Sequence, residues 1–448
     1  MNKNNFIKLV LFAGDVSLMY AALFLALAVR YRDFSALPGP QTGQFVFHFS
    51  IIFSVWLVLL FAFDFYDIFS IKRIIVFWKN MARFAFLALG FGVIYFYLNV
   101  AALIVPKTIL LLITVFFVVL AFLWRRALII FIGSKRFAKK IAVAGWCSEM
   151  DELARDYLPR LNYEIAAVFA PGSFSGFEKM KIFSDPRRFA AELEKEKVET
   201  VVFAAKTAPE IFSRGPLAGA LLKMEVIGAE IFYEEVTGKI SLGLVGEPWI
   251  WEKLFKSDRK NYNAVKNIFD AILSFCGCVL TAAIFPLIFL AVKLDSAGSV
   301  FYVQERKGKG GKVFKLYKFR TMASTPDQYL VLRANDPRQI TRVGKIIKKL
   351  HIDEFPQFYN ILKGDLSFAG PRPEWNKLAD DYEKEIPFYN CRYLVKPGLT
   401  GWAQINYKAS VTTGEAQEKF EYDLYYIKNR SFWLDISIII KTLQLFFR

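Results

Sequence analysis

Two adjacent carboxylates, Asp353 and Glu354, stand in the segment KKLHIDEFPQFYNILKGDLSFAGPRP, Lys348 to Pro373. Lys345, Lys348 and Lys349 precede or open it, and a Gly-Pro-Arg-Pro corner, Gly370 to Pro373, closes it. Between Gln304 and Leu350 there are 13 Lys/Arg against 3 Asp/Glu, so cations frame the acid pair on its N-terminal side. Carboxylates set in that much positive charge suit a phosphorylated, metal-bound substrate. A lone Asp-Glu dipeptide is ordinarily a solvated helix face with i,i+4 partners. What lifts this one above that reading is its company. QERKGKGGKVFKLYKFRTM (Gln304 to Met322), DEFPQ (Asp353 to Gln357), GDLSFAGPRP (Gly364 to Pro373) and KPGLTGWAQI (Lys396 to Ile405) follow one another in the C-terminal part of the chain.

Together these four motifs resemble the catalytic domain of the bacterial sugar transferases called monotopic phosphoglycosyl transferases. The resemblance implies transfer of a sugar-1-phosphate from a UDP-sugar to polyprenyl (undecaprenyl) phosphate, with release of UMP. This would be an initiating step of exopolysaccharide, capsule or O-antigen synthesis. It also implies roles: Asp353 as the nucleophile that carries the phosphosugar, and Glu354 as a ligand of Mg²⁺. The residues make physical sense of that reaction. A carboxylate can form a phosphoenzyme intermediate, but only if its repulsion from a charged diphosphate is relieved, and a hard divalent cation supplies that relief. Arg372, held between two prolines, suits bidentate phosphate recognition. Lys318 and Arg320 of KFRTM, Lys348 and Gln404 are further candidates for substrate or lipid-phosphate contact. Gly308, Gly310 and Gly311 either turn amides toward a phosphate or make a plain hairpin turn. His351 stands where the family often has Ser or Thr, and the family mechanism requires no histidine.

The elements that position these residues begin with composition. The chain has 448 residues, 55% hydrophobic and 17% aromatic with 46 Phe, and a net charge of +17. Its mean hydropathy of +0.31 points to a membrane protein with soluble parts. The positive charge suits anionic lipid and nucleotide-linked substrates, and with no zinc-ligand spacing or RNA-binding signature no nucleic-acid partner is expected. Cys147, Cys276, Cys278 and Cys391 form no CxxC and read as packing residues in a reducing compartment.

Four apolar runs, roughly Phe6–Val29, Val46–Phe65, Ala82–Val105 and Ile109–Ile132, each approach the ~20 residues a spanning helix needs. Lys72, Arg73, Lys79 and Arg83, and the basic cluster after the fourth run, place both ends of this bundle on the cytoplasmic side. Asp15, inside the first run, marks either function or a packing role near a helix end. From about Lys140, strands and helices alternate in a doubly wound α/β pattern to about Gly243. Trp146 follows Gly145 where a dinucleotide fingerprint needs glycine, so the domain reads as accessory. Ala271–Val292 is a fifth apolar run, with Pro286 inside it. A span there would put the motifs outside, away from nucleotide sugars, and basic residues flank both ends. A re-entrant helix over 266–293 that breaks at Pro286 is therefore expected. The family has such a helix, usually with Ser before the proline. Here Phe285 takes that place, which leaves Thr281 to help satisfy freed backbone groups.

The expected architecture is thus a four-helix transmembrane bundle (1–135), a Rossmann-like α/β domain (136–245), a linker (246–262) and a monotopic α+β catalytic domain (263–448). It would sit in the bacterial inner (cytoplasmic) membrane with the catalytic domain on the cytoplasmic face, as a homodimer. Two other classes compete. A membrane-anchored nucleotide-sugar dehydratase needs a glycine-rich loop and Tyr-x-x-x-Lys in the α/β domain, and the Tyr-x-x-x-Lys matches, Tyr262–Lys266 and Tyr359–Lys363, lie outside it. A non-catalytic export regulator needs no intact acid pair, which this chain has.

Overall fold

The computed structural model describes residues 3–31, 40–63, 65–66, 74–98, 107–132, 139–159, 161, 163–170, 180–204, 216–255, 259–323, 340–407 and 413–446. The chain divides into two compact units, Met1–Lys140 with Leu158–Glu164, and Ile141–Tyr157 with Ile165–Arg448.

Among its described residues the first unit has four helices: α1 (Lys3–Tyr31), α2 (Pro40–Ala62), α3 (Ile74–Leu98) and α4 (Lys107–Ile132). Apolar residues surround each helix, so part packs inward and the rest suits lipid. Leu23, Phe49, Trp56, Phe84 and Phe117 are fully buried, while Phe86, Val93 and Leu123 are exposed. By length and composition Lys8–Arg30, Asn80–Leu98 and Thr108–Leu128 can cross a bilayer, and the apolar part of α2, Val46–Ala62, is shorter. Asp15 is not open to a pathway. It receives Arg125 Nη1 and Nη2 at 2.8 Å each, and both side chains are buried.

The second unit opens with a parallel sheet of order β3-β2-β1-β4-β5. Its strands are β1 (Lys139–Ala144), β2 (Tyr163–Phe169), β3 (Ile182–Phe183), β4 (Thr200–Phe203) and β5 (Glu225–Gly228). Helices α5 (Ser148–Glu152), α6 (Pro186–Lys195), α7 (Pro216–Leu221) and α8 (Ala229–Thr237) connect or follow them. β1 and β4 are apolar on both faces, as strands covered on both sides must be. The short α9 (Glu247–Ile250) comes next. Ile240, Val245, Ile250 and Leu254 pack into the core that holds Tyr382, Tyr389, Phe420 and Leu424. The stretch expected as a linker is therefore, over 246–255, packed into the core of the C-terminal region; residues 256–258 lie outside the described residues. Side chains tie the same region down. Lys239 is buried against Glu152 and Glu418, and Trp402 Nε1 donates to the Gly238 carbonyl at 2.7 Å.

Next comes α10 (Lys260–Asp295), one helix of 36 residues, about 54 Å long at ~1.5 Å per residue. It is helical throughout: the break expected at Pro286 does not interrupt it. Thr281 donates to the Gly277 carbonyl at 2.7 Å, not to that of Ala282, the carbonyl a proline at 286 leaves free. Phe285 instead stacks on Phe301 and Phe319, with ring centroids 5.7 and 6.2 Å away. One face of α10 packs along its length on the C-terminal α+β region through Asp270, Gly277, Phe285 and Val292. The other presents Ile268, Ile272, Phe275, Val279, Leu287 and Leu294 outward.

The remainder is α+β. Hairpin β6 (Phe301–Lys307) and β7 (Val313–Phe319) pairs Tyr302 with Lys318. α11 (Arg342–Lys349), the 3₁₀ turn Ile352–Glu354, α12 (Gln357–Lys363) and β8 (Ser367–Ala369) follow. Then come α13 (Asn376–Glu385), the 3₁₀ segment Tyr389–Leu394, β9 (Gly398–Thr400), α14 (Trp402–Asn406), α15 (Thr413–Asn429) and α16 (Phe432–Phe446).

Candidate active site

The acid pair sits on a turn, not on a helix face. α11 ends at Lys349, and His351 takes a left-handed backbone (φ 54°) that swings the chain into the 3₁₀ turn Ile352–Glu354. A non-glycine residue there costs on the order of 1 kcal/mol or more and persists only where packing holds it. The reversal separates the two carboxylates. Glu354 Oε1 accepts from Lys318 Nζ at 2.8 Å and from Arg372 Nη2 at 2.7 Å. Asp353 is 9% exposed, and its Oδ1 is buried without a hydrogen-bond partner.

The same split appears in their proton affinities. Burial pushes the Glu354 carboxyl up, but Arg372 and Lys318 more than offset this and hold it near 2, below its ordinary 4.5. Burial raises Asp353 above the ordinary carboxylate value; Lys318 and His351 pull it down and Glu354 pushes it up. Lys318 in turn is lowered by burial, with Arg372 adding to that and Glu354 opposing it. One acid is therefore a charge-balanced ion, and the other is a buried carboxyl with an open oxygen.

Structure around the pair explains why these groups stand still. Asn360, fully buried, donates to the Lys315 carbonyl at 2.7 Å and accepts from Tyr317 N at 3.1 Å, which fixes β7 one residue before Lys318. The Pro-Arg-Pro corner is gripped by its carbonyls. Arg392 donates to Arg372 O at 2.9 Å, and Arg306 to Pro373 O at 2.8 Å. Arg392 is itself held by Asp423 at 2.9 Å and by Tyr389. β8 and β9 pair so closely that a Cβ on Gly398 would lie 2.2 Å from Gly370 N, so only glycine fits there. Arg306, Arg392 and Asn360 were not singled out from sequence. Arg306 was visible only as one cation in a basic run.

The other sequence candidates are placed elsewhere. Arg320 is buried and donates to Ala297 O at 2.6 Å and to Ser296 O at 2.7 Å, so it ties down the chain leaving α10 instead of facing a phosphate. Lys348 is exposed on α11 and bonds to none of the acid-pair residues. Gln404 lies on α14 with its Oε1 buried and without a protein partner, and it too bonds to none of them. The glycine loop is a hairpin turn: Gly308 N donates to Lys312 O and Gly311 N to Gly308 O, with Gly310 at φ 68°. Pro286 lies within α10, beside Phe285 of the aromatic cluster.

The orphan Asp353 oxygen and Glu354 offer two carboxylates, and among the described residues no group of three or more His, Cys, Asp or Glu is placed to hold a metal ion by itself. That donor set fits Mg²⁺, which keeps waters and substrate phosphates in its shell instead of demanding an all-protein cage.

A family described as bacterial sugar transferase matches residues 261–448. The chain is 38% identical over 226 residues to a UDP-N-acetylgalactosamine-undecaprenyl-phosphate N-acetylgalactosaminephosphotransferase of Aeromonas hydrophila, covering 50% of this chain and 53% of that protein. It is 41% identical over 182 residues to a UDP-glucose:undecaprenyl-phosphate glucose-1-phosphate transferase of Escherichia coli K12, covering 40% of this chain and 39% of that one. It is also 41% identical over 184 residues to the uncharacterized sugar transferase EpsL of Bacillus subtilis 168, covering 40% of this chain and 86% of EpsL. The chain thus spans about half or less of the first two relatives and most of the third.

Proposed function

Because this chain belongs to the bacterial sugar transferase family, we propose that it transfers a sugar-1-phosphate from a UDP-sugar to undecaprenyl phosphate and releases UMP. The observation that carries this reading is the buried Asp353 oxygen left open beside a Glu354 already neutralised by two cations. An Asp353 oxygen attacks the sugar-side phosphorus, the bond to the bridging oxygen breaks, and UMP leaves with that oxygen. A phosphate oxygen of the lipid then attacks the same phosphorus and returns the carboxylate. Lys318 and Arg372 both donate to Glu354 Oε1 and bring positive charge beside the acid pair, and Arg392 and Arg306 keep the Arg372 corner from moving. Asp353 and Glu354 would hold Mg²⁺, which when bound neutralises diphosphate oxygens.

Topology belongs to the same proposal. We place the catalytic unit on the cytoplasmic face of the inner membrane with both ends of α10 on that side. Support comes from its packing: Asp270 in one half and Val292 in the other contact the same unit, while its opposite face is apolar and exposed. The α/β domain, with strand order 3-2-1-4-5, we read as a Rossmann-like accessory.

The test uses the reconstituted full chain, undecaprenyl phosphate and a panel of UDP-sugars that includes UDP-glucose and UDP-N-acetylgalactosamine. UMP release with one donor is expected. Without lipid acceptor, the intact protein mass should rise by one sugar phosphate, and Asp353→Asn should block both. Full UMP release by Asp353→Asn would remove the covalent route. For topology, single cysteines from Asn261→Cys and Ser299→Cys, in a chain with its four cysteines replaced, should both resist an impermeant thiol reagent in intact cells. Labelling at position 299 alone would make α10 a span.

A further inference from the structure

A second positively charged site stands at the foot of α10. Tyr262, Lys266, Asn267, Lys309, Lys396 and Arg430 line a cleft of about 70 Å³, open at its mouth. It shares no lining residue with Asp353, Glu354, Lys318 or Arg372. Four cations meet there, Lys266, Lys309, Lys396 and Arg430, against the two carboxylates of Asp435 and Asp270. Asp435 takes Lys266 at 2.6 Å and Tyr262 at 2.8 Å, and Asp270 accepts from Phe368 N at 3.2 Å. Lys309 makes no ion pair among the described residues and is exposed, while Lys396 donates only to Asn267, at 3.0 Å. Burial pushes the Lys396 ammonium below its ordinary value; Asp270 offsets part of this, and Lys309 and Lys266 add to it. The cleft therefore holds uncompensated positive charge, with a tyrosine hydroxyl and a carboxamide among its walls. That is a phosphate's complement.

Its level in the fold narrows the source of the phosphate. On the same turns of α10, Val265, Ile268 and Ile272 point outward and are 51%, 62% and 60% exposed. An apolar face beginning at the height of a cationic cleft is where headgroups meet hydrocarbon. We propose that this cleft binds the phosphate of an anionic membrane phospholipid, at a site separate from the acid pair. The proposal rests on the reading of α10 as a membrane-associated helix. Bound lipid would also touch the strand that steadies Arg372: Lys396 leads into β9, where Gly398 N bonds Pro371 O and Leu399 O receives Arg372 Nη1.

The experiment is native mass spectrometry of the full chain released from nanodiscs of mixed phosphatidylglycerol and phosphatidylcholine. Wild type should retain phosphatidylglycerol preferentially. Lys309→Glu with Lys396→Gln should lower that retention about thirtyfold, since two basic residues near a lipid surface at about 1 kcal/mol each make about 2 kcal/mol. Lys309→Glu alone, on an exposed side chain, should weaken it and guards against misfolding of the double variant. Lys312→Glu, outside the cleft, should change nothing. Equal retention in all four proteins overturns the site. Retention displaced by inorganic phosphate, which then binds the delipidated protein and not the double variant, overturns the lipid assignment and leaves a soluble-phosphate site. Asp353→Asn should keep its lipid, so the cleft and the transfer reaction can fail independently.

Discussion

Asp15 and Asp353 are both buried aspartates, and they are built for opposite ends. In the first unit, Asp15 has both oxygens taken by one guanidinium, which itself lies 5.3 Å from the Phe65 ring centroid. In the second, Asp353 has one oxygen that meets nothing, while its neighbour Glu354 receives both nearby cations. A buried charge that is fully paired fixes helix against helix; α1 and α4 gain a register, and nothing is left to react. A buried carboxyl beside cations that bind its neighbour is costly to fold and available for chemistry.

The sharpest way to break this contrast is to neutralise each aspartate. Asp353→Asn should lower UMP release by at least about a thousandfold, since the attacking oxygen is gone, with little change in thermal stability. Asp15→Asn should do the reverse. It leaves Arg125 buried and half-paired, at a cost of about 3 kcal/mol, while the folded fraction keeps its turnover. Asp15→Leu with Arg125→Leu should recover most of that stability. An Asp15→Asn protein of normal stability but no activity would place Asp15 in function instead.

Removing everything before Arg259 is the next largest perturbation. All four motifs survive, but the core around Tyr389 and Phe420 loses Ile240, Val245, Ile250 and Leu254. Each buried aliphatic contributes about 1.5–3 kcal/mol, more together than a domain's net stability tolerates. Such a truncated protein should aggregate, whereas one starting at Glu225 should remain soluble in detergent. Size-exclusion profiles of the two decide it.

A smaller effect separates the two acids of the pair. In the proposed reaction Asp353 attacks as a carboxylate, and its affinity for a proton lies above the ordinary carboxylate value, raised by burial, pulled down by Lys318 and pushed up by Glu354. Lys318→Met should therefore move the acid limb of kcat/KM to higher pH, and Glu354→Gln should move the limb of its residual activity to lower pH. Shifts of about one unit correspond to ~1.4 kcal/mol. Limbs moving in the same direction would show that the titrating group is not Asp353.

Much of this site was readable from the chain because its parts lie in short motifs. Asp353–Glu354, Lys318 and Arg372 each stand in a segment whose residue types announce phosphate chemistry, and the structure joins three of them at one oxygen. What motifs do not carry is who holds whom. Arg320 lies two residues after Lys318, just past the end of β7, and its side chain goes to Ser296 and Ala297. Arg392 and Arg306 act on backbone carbonyls, contacts that exist only once β8, β9 and the hairpin have come together. The stretch 246–255 lacks the periodicity of a long element, so its burial of Ile250 and Leu254 is a tertiary fact. For Pro286, local sterics argued for a break that packing of Phe285 and Val292 on both sides of it does not require.

Glu421 gives the smallest and most exacting version of the comparison. It is a third buried acid, 8% exposed, with an intermediate degree of pairing: Oε1 accepts from Leu242 N at 3.0 Å, where the α/β domain meets α15. Burial is the main cause that raises it from 4.5 to about 7; the Leu242 amide and Lys239 pull it down, and Glu152 and Glu418 push it up. Its folded value lies above its unfolded one. Between about pH 4.5 and 7 the folded chain thus keeps a proton that the unfolded chain has released, and stability falls as pH rises through that window. Glu421→Gln keeps an oxygen for Leu242 N and cannot ionise. It should match wild type near pH 4.5 and be more stable by about 1 kcal/mol at pH 8, after allowance for relaxation around the charge. Thermal unfolding of the two proteins across that range reads the difference directly. A Gln variant that is less stable at pH 8 would mean the ionised carboxylate is held by Lys239 as firmly as Asp15 is held by Arg125.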